Sequence, residues 1–260
     1  MQDQLDSAPS LERTGFVAKI TLSRPGKLNR LTTADLHVLQ THMREIAHDT
    51  SVRVVVLTSD TAGQKRPVFC AGYDVGVFDD PHHDPRLFEK TVDCLAQLPQ
   101  VVIAVVNGSV YGGATDTVLA CDLRIGLEEA EFRMPACALG LHYYPSGLQR
   151  YVRVLGLNAS KQAFLTASAM AFERLRELGV FMSLHSDQDI EAAGDELAKK
   201  VSHLAPLALM GTKASLNEIG NGRSNGKTLM ARESKCLTSS DFAEGRQAFA
   251  EKRQPCFTGN

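Results

Sequence analysis

The run Val101-Val102-Ile103-Ala104-Val105-Val106 passes directly into Asn107-Gly108-Ser109-Val110-Tyr111-Gly112-Gly113-Ala114. A β-branched apolar run without polar alternation reads as a strand buried on both faces. The glycines after it read as a turn, and Thr115 to Ala120 as a buried helix that starts there. A second glycine turn, Phe69-Cys70-Ala71-Gly72-Tyr73-Asp74, also follows an apolar run. Phe16 to Leu22, Val52 to Thr58 and Cys121 to Ile125 read as further strands. Thr33 to His48 has helical spacing, with Leu36, Leu39, Met43 and Ile46 on one face and Thr32 or Thr33 as N-cap. Strands alternating with helices predict an α/β fold with parallel pairing.

Past Leu157 the β signal thins. Ala159–Ala167, Ala171–Leu178, Asp187–Ala205, Leu207–Ile219, Thr228–Leu237 and Phe242–Lys252 favour helix. The C-terminal quarter is therefore expected to be a helical layer, dividing the chain into a core over residues 1–200 and a helical region over 201–260. Residues 79–86, rich in Asp, Pro and His, are expected to form a mobile loop rather than a packed element.

Composition excludes more than it identifies. The 260 residues carry a net charge of -2 and are 43% hydrophobic, which gives no basic surface for nucleic acid or an anionic membrane. No apolar stretch reaches the roughly 18 residues of a membrane span. Met1 to Asp6 has neither a basic nor an apolar segment, so no secretory signal is expected. The six cysteines (Cys70, Cys94, Cys121, Cys137, Cys236, Cys256) show no CxxC pairing, which suits free thiols in a reduced cytoplasm. The adjacent pair His82-His83 lacks a matching ligand cluster, so no metal site is expected.

Taken alone, the glycine turns are ambiguous. Gly112-Gly113 could serve close packing or positive φ. The spacing fits neither a dinucleotide fingerprint nor a P-loop. An anion or oxyanion site at a helix N-terminus remains, where free N–H groups and the dipole favour negative charge. Two turns that each aim one N–H at the same oxygen would form an oxyanion hole.

Several segments in order resemble the crotonase, or enoyl-CoA hydratase/isomerase, superfamily. Arg24-Pro25 with Leu28-Asn29 resembles its R-P-x-x-L-N segment, and Phe69 to Asp74 its F-x-A-G-x-D turn. Asn107-Gly108 through Gly112-Gly113, then Cys121-Asp122, resembles its N-G-x-x-x-G-G-x…C-D segment. Phe132, Pro135, Gly140 and Gly147-Leu148-Gln149-Arg150 fit the stretch that follows, and Glu244 to Arg253 resembles its E-G-x-x-A-F-x-E-K-R tail. The resemblance implies a spiral of ββα turns with a helical C-terminal region that drives trimerisation, often as a dimer of trimers. It implies an acyl-CoA thioester substrate and no separate cofactor. The thioester oxygen would accept from the Tyr73 and Gly113 N–H groups. Lys27, Leu28, Ala71 and Gly72 would meet CoA, with Phe249 and Lys252 reaching its adenine and 3′-phosphate, often from a neighbouring subunit.

The chain departs from the family where the reaction is chosen. Family hydratases use two glutamates; the matching positions here hold Asp116 and Ala136. Asp116 is either a short acid/base or simply a first-turn acid favoured by the helix dipole. Tyr73 stands where a family methylmalonyl-CoA decarboxylase has histidine, and Tyr144 resembles that enzyme's active-site tyrosine by its spacing from Gly140. Tyr143 and Tyr144 could equally be pocket wall, and His142 a surface residue. The sequence thus favours a lyase-type reaction in an oxyanion hole. A decarboxylase, an isomerase or a catalytically silent CoA binder stand as alternatives.

Overall fold

The computed structural model describes residues 7–260; the expectation for Met1–Asp6 lies outside them. The chain opens with β1 (Ser10–Thr14) and β2 (Val17–Leu22), an antiparallel pair. A 3-10 turn at Pro25–Lys27 leads to α1 (Thr33–His48). Three turns of one pattern follow. Each is a strand in one sheet, a short strand in a second sheet, then a helix. They are β3 (Val54–Ser59), β4 (Val68–Cys70) and α2 (Leu87–Gln97); β5 (Val101–Val106), β6 (Ser109–Tyr111) and α3 (Gly113–Ala120); and β7 (Leu123–Leu127), β8 (Glu131–Arg133) and α4 (Pro145–Thr166). Then come β9 (Met170–Ala171), α5 (Phe172–Glu177), β10 (Ser183–His185), α6 (Ile190–Ser202), α7 (Pro206–Gly220), α8 (Gly226–Leu237) and α9 (Ser240–Glu251).

The larger sheet runs β1-β2-β3-β5-β7-β10 and the smaller β4-β6-β8-β9. In the larger sheet β2, β3, β5, β7 and β10 pair in parallel. All six residues of β3 and of β5 are buried, as expected where helices cover both sheet faces. This is an α/β fold wound as a spiral of ββα turns.

The expected α1 begins and ends where its spacing predicts. Thr32 is the N-cap, and its exchange of hydrogen bonds with Asp35 makes a capping box. Leu36, Leu39, Met43 and Ile46 are all buried. Other elements differ from expectation. The expected helix at Ala159 begins instead at Pro145, because proline is tolerated in a first turn, and Gly156 (φ 78) interrupts its periodicity. Helix α2 and the short strands β4, β6, β8, β9 and β10 are not among the predicted elements. Residues 80–86 form no helix or strand, yet His83 packs its ring on Tyr73 and Phe78, with centroids 5.9 and 5.2 Å away.

Two buried cations tie the C-terminal helices to the sheet. Lys213 on α7 donates to Asp122 Oδ2 at 2.6 Å and to the Gln100 carbonyl at 2.7 Å. The same Asp122 oxygen accepts the Val102 N–H at 2.7 Å. Arg53 donates to the Ser202 and Phe257 carbonyls and lies 3.7 Å over the Phe16 ring. No helix among the described residues is long and apolar enough to cross a membrane. Removing one partner of a buried ion pair strands the other. Lys213→Met is therefore expected to cost about 3 kcal/mol of stability, read as a lowered midpoint in urea denaturation.

Candidate active site

The two glycine turns meet. The second is not one turn but two corners with β6 between them: Asn107-Gly108 at the end of β5, and Gly112-Gly113 at the start of α3. Gly112 (φ 56) caps α3 and Gly113 is its first residue. Gly72 (φ 99) packs so closely that a Cβ there would lie 2.9 Å from the Tyr111 carbonyl and 3.4 Å from the Gly113 nitrogen. Only glycine suits both the dihedral and the space.

The first turn is held from its other side by the loop before α1. Ala71 N–H donates to the Leu28 carbonyl, Leu31 N–H to Gly72, and Asp74 N–H to Leu31. Leu31 and Tyr73 thus form a parallel bridge that uses the groups flanking Tyr73 and leaves its own N–H facing away. Gly113 N–H precedes the first intrahelical bond of α3. Neither amide donates a backbone bond to another described residue.

The loop has its own reasons for its shape. Leu28 and Asn29 are both left-handed, with φ 53. Buried Asn29 accepts the Arg24 N–H and donates to the Asp60 and Val68 carbonyls. Arg24 in turn pairs with buried Asp35 at 3.0 Å. The structure therefore brings Lys27, Leu28, Ala71 and Gly72 to one edge of the site, with the Lys27 and Leu28 side chains exposed. Phe249 and Lys252 lie elsewhere, at the end of α9. Phe249 is 88% exposed, and no hydrogen bond, ion pair or ring contact among the described residues joins either to this loop.

Aromatic rings line the space beside the turns. Phe88 lies 5.4 Å from Tyr73 and 6.3 Å from Tyr144 between centroids. A Cβ on Gly113 would meet the Phe88 ring at 2.6 Å. Tyr143 stacks on Tyr144 at 4.2 Å, and Gly147 leaves room for both rings, since a Cβ there would lie 2.4 Å from Tyr143. His142 is exposed.

Asp116 is fully buried. Its Oδ2 accepts from Tyr144 Oη at 2.5 Å and from Arg150 Nη1 at 2.6 Å. Arg150 also reaches Asp93 at 2.6 Å. Burial pushes the Asp116 carboxyl above its ordinary range, and the Arg150 and Tyr144 contacts pull it back. Burial and the Asp116 charge raise Tyr144, so it is a protonated phenol at neutral pH. Burial opposes the Arg150 charge, but the Asp116 charge and hydrogen bond together outweigh it. Ala136, buried at the start of a 3-10 turn, brings no polar group. Cys70 donates to the Asn29 carbonyl, and burial pushes its thiol up to about 12; it is inert packing. Sequence reasoning gives the loop near Asp79–Phe88 a part in shaping the pocket but does not single out Phe88 or His83 within it. It quoted Arg150 without assigning it a partner, because the contact from α4 to α3 has no local sequence signal.

A family model for enoyl-CoA hydratase/isomerase matches residues 12–260. The chain belongs to the crotonase superfamily. YngF of Bacillus subtilis (strain 168), whose name places it in the same family, is 32% identical over 98% of this chain and 99% of its own. Methylmalonyl-CoA decarboxylase of Escherichia coli (strain K12) is 26% identical over 94% of this chain and 95% of its own. The crystal structure of an enoyl-CoA hydratase from Bacillus anthracis superposes with a TM-score of 0.85 at 29% identity, covering 98% of this chain and all of that one. This family member is an enzyme acting on acyl-CoA.

The contact between Gly113 and Phe88 gives a test of the geometry. Gly113→Ala is expected to cost about 1–3 kcal/mol through overpacking. Adding Phe88→Leu should recover part of that loss, which a double-mutant cycle of unfolding free energies would measure.

Proposed function

We propose that this enzyme stabilises a thioester enolate with the Tyr73 and Gly113 N–H groups and catalyses a lyase-type reaction, decarboxylation of a malonyl-type acyl-CoA. One observation carries the choice of reaction. The carboxylate that would activate a water, Asp116, is buried in an ion pair with Arg150, and the second glutamate position is Ala136. A phenol, Tyr144, stands in their place with its proton retained.

Decarboxylation needs no base to begin. The Cα–carboxylate bond breaks, CO2 leaves, and the electron pair passes into the thioester as an enolate. Two preorganised N–H donors at a helix N-terminus are suited to that charge; one such donor is typically worth about 2.7–4 kcal/mol. Tyr144 then gives its proton to Cα and regains one from solvent. Asp116 holds the phenol in place, and Arg150 offsets part of the cost that burial puts on the Asp116 charge.

The supporting relatives include both chemistries, a hydratase structure and a decarboxylase. Lys27, Leu28, Ala71 and Gly72 would hold CoA. Exposed Phe249, with Lys252, would serve the CoA of a neighbouring subunit, in a homotrimer or a dimer of trimers. CoA is part of the substrate, and no further cofactor enters. The free thiols suit the reduced cytoplasm.

Methylmalonyl-CoA and malonyl-CoA are expected to release CO2, and Tyr144→Phe to slow that release by about 10²-fold or more, the usual worth of a positioned proton donor. Hydration of crotonyl-CoA at about 1–10³ s⁻¹, with no CO2 release, would overturn the reading.

A further inference from the structure

We infer that Phe88 sets the acyl chain length this enzyme accepts, by closing the thioester site off from an apolar cavity behind it. The inference rests on the proposal that acyl-CoA binds at the Tyr73 and Gly113 amides, and it adds a substrate class: short acyl groups.

Three observations place Phe88 at a boundary. Its ring edge meets Gly113, where a Cβ would lie 2.6 to 3.2 Å from three ring carbons. Its faces and rim meet Tyr73 and Tyr144, which flank the space beside the two amides. The same side chain also lines a narrow apolar cavity of about 20 Å³ between α1, α2, α3 and the larger sheet, with Leu39, Met43, Phe69, Val92 and Ala114. The ring therefore has the thioester site on one side and the cavity on the other.

The placement follows from the fold. Phe88 sits in the first turn of α2 and is buried together with Leu87, Thr91, Val92 and Leu95. That stripe packs α2 on α1 and α3. An acyl chain entering past Gly113 meets the ring before it can reach the cavity. Truncating Phe88 adds the volume of the ring to the cavity and opens a continuous apolar path. Each methylene that enters such a path gains about 0.8 kcal/mol, or about fourfold in affinity.

The test is calorimetric titration of the full-length protein and Phe88→Ala with acetyl-, butyryl-, hexanoyl- and octanoyl-CoA. These saturated thioesters report binding whatever the reaction. The wild type is expected to bind acetyl- and butyryl-CoA and to lose affinity for the longer pair. Phe88→Ala should gain affinity for hexanoyl- and octanoyl-CoA by about fourfold per added methylene. Phe88→Leu, which leaves a smaller hole, should show an intermediate gain and guards against a folding defect in the alanine variant. Leu39→Phe added to Phe88→Ala should refill the cavity and cancel the gain. Short-chain binding by the wild type with no gain in either Phe88 variant would overturn the gate alone. Equal wild-type affinity for all four thioesters would do the same. Failure of the wild type to bind any of the four would overturn the thioester site and the gate with it.

Discussion

The close approach of two backbones, at Gly72 and Gly113, organises the rest of the molecule. Gly72 cannot carry a side chain at that point, and Gly113 can carry one only if the Phe88 ring gives way. A Cβ on Gly72 would press on the Tyr111 carbonyl, and one on Gly113 would enter the Phe88 ring. The approach is possible because β4 and β6 are parallel neighbours in the smaller sheet, so successive turns of the spiral stack their strand ends side by side. Each turn then sends its chain into a helix from the same edge. The meeting of the turns is thus a consequence of the winding: a repeated ββα turn brings two glycine corners together without any side chain having to do so.

What fixes that meeting point is a set of polar contacts that are structural in purpose. Asn29 pins the loop before α1 to two carbonyls, and Arg24 locks the same loop to the Asp35 capping box. Where β5 and β7 begin in the larger sheet, Asp122 accepts both Lys213 and the Val102 N–H. Several residues that carry the family resemblance thus hold backbone in place. Buried polar groups of this kind are costly when broken and add little when intact. Their value lies in specifying one geometry.

Much of this was legible in the sequence, for physical reasons. The strands β3 and β5 are buried on both faces, so their composition alone identifies them. Helix α1 has a capping residue at one end and a clean apolar stripe, so its limits could be read to the residue. The two glycine turns could be singled out because glycine marks where backbone must come close, while the Tyr73 and Gly113 amides within them were named by the family resemblance. The rest was not legible because it depends on contacts distant in sequence. Strands of two or three residues have no periodicity of their own and exist only by pairing. The start of α4 is obscured by Pro145 and Gly147, and Gly147 is there to clear the Tyr143 and Tyr144 rings rather than to end a helix. Asp116 could be named as a candidate, but its state could not, since that depends on Arg150 from the next helix.

That last dependence separates the scaffold from the chemistry. Backbone amides are indifferent to which bond of a thioester substrate breaks; they serve any route through an enolate. The route is chosen by which nearby groups can take or give a proton. A free carboxylate would activate water. The Asp116 carboxylate is instead paired through Oδ2 with a cation that also binds Asp93 and with the Tyr144 phenol, while its Oδ1 is buried with no hydrogen-bond partner among the described residues. On the proposed route the Asp116 carboxylate serves to position Tyr144 rather than as a base. Ala136 is apolar and Phe88 lies beside Gly113, so the space beside the turns is lined mainly by rings, with the Tyr144 hydroxyl among them. An enolate formed there without a base, by loss of CO2, would have its stabilising donors and its proton source already in place.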